Sequence, residues 1–183
     1  MLEKRKGEKI HIRDIEISTY TCDVEGIIVE GILKDDRLTP YYTIMGESKP
    51  PATIHHMIIR MLVNGEPLTI QDIEVEMPCS PREQCRETME FLNSIKGMTI
   101  SSGFTEKVKK TIGGNKGCAH LTTLVISMAA AAVQGFWSYY ARKPISSDKI
   151  SLGIIKQHLV DTCWLWRKDG PFITNFNELS NKS

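Results

Sequence analysis

The chain has 183 residues, enough for one domain, or one domain with an appendage, around a substantial core. Hydrophobic residues make up 41% and charged residues 25%, with a formal net charge of +1, so no global charge argues for nucleic acid or an anionic membrane as partner. The basic start, MLEKRKGEKIHIR, has no apolar run behind it and reads as neither signal peptide nor anchor. Five cysteines, an odd number spread along the chain, suggest reduced thiols in the cytoplasm.

Residues 1–10 are charged and expected to be mobile. Ile12, Ile15 and Ile17 begin a strand pattern, and Tyr20 to Lys34 alternates around Val24, Ile27, Val29 and Ile32, with Gly26 and Gly31 expected at bulges or bends. Asp35-Asp36-Arg37 reads as the close of that strand, and Thr39 to Pro51 as a loop. Thr53 to Val63 is a second strong strand. Asn64-Gly65 signals a hairpin, because both residues tolerate positive φ. Leu68 to Met77 is the half-exposed return strand. The first ~80 residues thus read as an antiparallel meander of about four strands.

The second half reads as three to four helices. Ser80-Pro81-Arg82-Glu83 has the form of a capping box, ahead of Cys85, Met89, Leu92 and Ile95 on one face. Thr105 is expected to cap a short helix, Glu106 to Ile112, stopped by Gly113. A long helix over 119–140 follows, with no proline, Gly135 as its single glycine, and apolar residues at helical spacing. Its apolar run before Gln134 is about half the ~20 residues that spanning a bilayer needs, so it is expected at the centre of the fold and not in a membrane. Ser147-Asp148 can cap a last helix through Leu159 toward Trp164. Strands first and helices afterwards imply an α+β domain over 11–168, an antiparallel sheet with helices on one face, followed by a polar tail over 169–183.

Chemistry is expected at GGNKGCAHL, where a glycine-flanked loop delivers Cys118 and His120 to the start of the long helix. Unpaired N–H groups and the dipole at a helix start favour a thiolate. Gly113, Gly114, Lys116 and Gly117 could hold an anionic group or cofactor, since glycines let backbone N–H groups point at it. As metal ligands the candidates are Cys118, His120, Cys85, Cys163 and His56. No Cys-x-x-Cys spacing supports a zinc ribbon. Consecutive His55 and His56 point to opposite strand faces, so at most one faces a site directly. A nucleophilic set would pair Cys118 with His120, His55 or His56, and take Asp14, Asp35 or Asp161 as third member. Each residue also has a plain structural account: Cys85 lies on an apolar stripe, and Cys163 precedes Trp164 and Trp166.

Several segments resemble the bacterial family catalogued as domain of unknown function 2889. They are His11-x-Arg13, Gly31 to Asp35, Ile54-His55-His56-Met57, Leu68 to Asp72, Met77-Pro78 followed by Cys85, Gly113-Gly114-x-x-Gly117-Cys118-x-His120-Leu121, Gln134, and Asp161-Thr162-Cys163. The resemblance covers about residues 11 to 167 and implies no established activity. It groups Cys85, Cys118, His120, Cys163 and one of His55 and His56 as site residues. A more distant likeness in plan is to iron–sulfur cluster scaffold proteins, which also run strands, then Gly-x-Gly-Cys opening a helix, then a later cysteine. Three readings follow. One is a metal- or iron–sulfur-binding carrier or assembly protein, with a cluster, iron or zinc as cofactor. The second is an enzyme or small-molecule binder with Cys118 or His120 as nucleophile or acid/base. The third is a non-catalytic accessory protein. No nucleic-acid or membrane partner is expected, and homo-oligomerisation is left open.

Overall fold

The computed structural model describes residues 1–142, 159–161 and 163–180. The chain divides into two compact units, Met1–Tyr139 and Tyr140–Ser183.

The first unit is built on a four-stranded antiparallel sheet of β1 (His11–Thr21), β2 (Ile27–Arg37), β5 (Ala52–Asn64) and β6 (Thr69–Cys79), ordered β1-β2-β5-β6. The short β3 (Tyr41–Tyr42) and β4 (Ser48–Lys49) pair as a hairpin inside the segment expected as loop. Alternation along β2 sends Ile27, Val29, Leu33 and Asp35 to one face, all buried. Met57, Ile59, Met61 and Val63 of β5 lie on the same face. The opposite face carries Glu30, Arg60 and Glu76, with Arg60 bonded to both carboxylates.

Helices cover the buried face, giving the α+β architecture with a long central apolar helix. Glu83–Ile95 forms a run of 3-10 turns, not the α-helix expected from the capping box. The box does not close: Glu83 pairs with Arg86 instead, and Ser80 Oγ donates to the Arg82 carbonyl. Helix α1 (Phe104–Ile112) begins ahead of Thr105, on Gly103 at φ 81°, with no side-chain cap. Beyond Ile95 the chain hydrogen-bonds along β6: the Ile70 N–H donates to the Met98 carbonyl and the Ile100 N–H to the Leu68 carbonyl. The start of that sheet edge is thereby satisfied.

Helix α2 (Ala119–Tyr140) buries Leu121, Leu124, Val125, Met128, Ala129, Ala132 and Gly135. By length and composition it could cross a membrane, but a core helix has the same composition, and this buried face is the one a sheet-covering helix needs. Gly31 is not a bulge. It pairs in unbroken register with Ile17 and Ile59, and a Cβ there would lie 2.6 Å from Met128 Sδ and 3.0 Å from Leu124 Cδ1. Gly135 plays the reciprocal part, since a Cβ on it would lie 2.8 Å from Thr19 Cβ on β1. A mid-helix glycine costs about 1 kcal/mol relative to alanine, and close approach to a strand is the return.

In the second unit, α3 (Pro171–Ser180) occupies the stretch expected as polar tail. Pro171 opens it, as a residue without an N–H can. Trp166 packs edge-on to Phe172 at 4.9 Å, and Ile173 is buried. The helix expected from Ser147 lies largely outside the described residues.

Candidate functional site

Asp35 is the buried carboxylate of the sheet, with 3% of its surface exposed. Arg13, opposite it on β1, grips both oxygens, Nε to Oδ1 at 2.6 Å and an Nη to Oδ2 at 2.7 Å. His55, opposite it on β5, places Nδ1 2.9 Å from Oδ2. His11 Nε2 lies 3.4 Å from Oδ1 at the strand edge. The guanidinium is the main reason the Asp35 carboxyl is held down to about 2, with the His55 bond adding to it. Asp35 is therefore ionised at neutral pH, so the proton in the His55 contact sits on Nδ1.

Helix α2 brings the second half. His120, in its first turn, stacks on His55 with ring centroids 3.9 Å apart and planes tilted by 32°. Its Nε2 is 3.7 Å from Asp35 Oδ2, and its Nδ1 is 3.7 Å from Cys118 Sγ. Carboxylate, imidazole and thiol thus lie in sequence, with the imidazole between. Burial, more than the neighbouring His55 and Arg13, pushes the His120 pKa below its ordinary 6.5, so this ring is neutral at pH 7. The Cys118 carbonyl accepts the Thr122 N–H at 2.9 Å, which puts the cysteine at the N-cap. The buried Thr122 hydroxyl lies 2.9 Å from the carbonyls of Ile112 and of Cys118, tying the end of α1 to the start of α2.

The GGNKG loop has its own steric reasons. A Cβ on Gly113 would lie 2.4 Å from the Lys109 carbonyl oxygen, and one on Gly117 2.3 Å from that of Ile112. Gly114 sits at φ 61°, where glycine is favoured. Lys116 Nζ is turned onto the Lys110 carbonyl at 3.0 Å.

Of the residues singled out from the sequence, Cys118, His120, Asp35 and His55 come together. His56 is on the other strand face, opposite Lys34 and Cys79. Cys85 packs against the hydrophobic core, and Cys163 is exposed within the second unit. Asp14 is exposed on β1 opposite Lys34, and Asp161 accepts the Lys168 N–H. Arg13 and His11 were the missed members. The His11-x-Arg13 piece carries part of the family resemblance, but its role appears only when β1 is registered against β2. Among the described residues, Asp35, His55 and His120 also form the group that could hold a metal ion, with one ligand atom from each inside a 4.8 Å span.

Comparison with known proteins fits this geography. Residues 11–134, from the first strand into α2, match the family model described as "Protein of unknown function (DUF2889)", and the chain belongs to that family. The matched span contains all the residues around Asp35. A segment of the bikaverin polyketide synthase bik1 of Gibberella fujikuroi is 28% identical over 170 residues, covering 79% of this chain. The chain covers 8% of that protein's length. No solved structure matches.

Proposed function

We propose that this protein is a thiol-dependent enzyme whose reacting pair is Cys118 and His120, with the charge of Asp35 beside the imidazole. The observation that carries the reading is the order of contacts through one imidazole: Asp35 Oδ2 at 3.7 Å from Nε2, Cys118 Sγ at 3.7 Å from Nδ1. A neutral His120 with its proton on the Nε2 side presents a lone pair to the thiol. It takes the thiol proton as sulfur attacks an electrophilic carbon. The carbon–sulfur bond forms, the bond to the leaving group breaks, and the leaving group takes the proton from His120. Arg13 keeps Asp35 charged and fixed. His55, its Nδ1 proton held by Asp35, stacks on the His120 ring and fixes its plane. An acyl derivative is the substrate class that suits this set, and the likeness to a stretch of a polyketide synthase agrees with an enzymatic role. The cytoplasm, where thiols stay reduced, is the compartment this chemistry needs.

Alkylation by iodoacetamide, with the modified residue read by mass spectrometry, tests the pair. Cys118 is expected to react about tenfold more slowly at pH 7 once His120→Ala removes the base. Equal rates in wild type and His120→Ala would overturn the reading.

A second reading, a divalent metal such as zinc held by Asp35, His55 and His120, is favoured by their close ligand atoms. Two features weigh against it. Arg13 already occupies both carboxylate oxygens, and its charge cancels the one negative charge available to a cation. An iron–sulfur cluster wants several thiolates, whereas among the described residues this group brings only Cys118 within reach of His120.

A further inference from the structure

We infer that Gly31 is a positioning residue for His120: the absent side chain in β2 sets the height at which α2 lies on the sheet, and so the reach from His120 to Asp35. Gly31 and Asp35 are on the same strand face, four residues apart, or ~13 Å at ~3.3 Å per residue. Met128 and His120 are on the same side of α2, eight residues apart, or ~12 Å at 1.5 Å per residue. The two spacings match and the directions oppose. With Met128 seated on Gly31, His120 therefore arrives over Asp35. Leu124, midway, closes on the same glycine.

The seat is close. A Cβ at position 31 would lie 2.6 Å from Met128 Sδ, 2.7 Å from its Cγ and 3.0 Å from Leu124 Cδ1. Met128 and Leu124 are fully buried, so neither side chain has free volume to turn into. Overpacking of this kind is relieved by backbone shift, and the free direction is away from the sheet. The 3.7 Å approach of His120 to Asp35 is longer than a hydrogen bond, so beyond the stack on His55 the height of the imidazole follows the seating of the helix.

This rests on the reading above only for what His120 does chemically; its placement can be tested alone. The experiment is an NMR pH titration of the His120 ring in a series that carries Gly31→Ala with Ala, Val, Leu or Met at position 128. The alanine member has room for the added methyl and is expected to titrate as wild type does. As the side chain at 128 grows, lifting the helix lets water reach the ring, and the midpoint is expected to climb step by step toward 6.5. A midpoint that stays constant through the folded members of the series overturns the inference. Each outcome is separate from the alkylation result, since His120 can be placed by Gly31 whether or not it activates Cys118.

Discussion

Asp35 and His55 are direct partners across the β2–β5 ladder, and Asp35 Oδ2 accepts the Nδ1 proton of His55 at 2.9 Å. The ladder slips immediately afterwards: Asp36 pairs with Thr53, so Ile54 is the extra residue. The bulge thus falls at the end of the site, a place where such irregularities re-aim side chains.

Removing the carboxylate should cost stability, because Arg13 loses the partner that both its donors serve. Asp35→Asn is expected to lower the free energy of unfolding by about 2 kcal/mol, the worth of charged hydrogen bonds. Urea denaturation followed by circular dichroism measures this, and an unchanged midpoint would contradict the clamp.

Acid should act on the same group. Asp35 ionises at about 2 in the folded chain against 3.8 for the free group, so the unfolded chain takes up that proton first. Its contribution is complete above about 3.8 and is lost as pH falls toward about 2. His120 has the same sign at higher pH. Its folded value is below 6.5, so stability is lost as pH drops below 6.5 and through that lower value. A stability–pH curve should therefore fall in two stages on the acid side. In His120→Ala the first stage should shrink while the second remains.

The two glycine contacts need not behave alike. Gly135→Ala would gain about 1 kcal/mol of helix propensity, yet its methyl meets a β-carbon that no side-chain rotation can move. The net is expected to be destabilising by about 1 kcal/mol or more. Measured in a Thr19→Gly background, Gly135→Ala should instead stabilise, by the helical gain alone. Thermal melts of the three variants would show it.

Arg13 also decides between the two readings of the site. If the guanidinium keeps cations out, Arg13→Leu should free the carboxylate and give zinc affinity at pH 7.5 that the wild type lacks, read by calorimetry. Tight zinc binding by the wild type would instead support the metal reading.

The fold was legible because its signals are local. Alternation marks β2 and β5, and the proline-free apolar run marks α2. The site was less so. Cys118 and His120 stand out because a glycine loop and a helix start announce themselves. Asp35 reads from sequence as the close of its strand and as one of three candidate third members, although extending the series Ile27, Val29, Gly31, Leu33 by one step places it inward. Parity separates His55 from His56 without saying which faces the core; that needs the register with β2. Arg13 is the extreme case, since its meaning lies 22 residues away on a neighbouring strand.

The contributions to this centre are unevenly divided along the chain. Arg13, Asp35 and His55 are bound together by the sheet alone, whereas the thiol hangs from the first residues of a separate helix. A lineage of such proteins could exchange the group at position 118 and acquire a different reaction while inheriting the charged clamp unaltered.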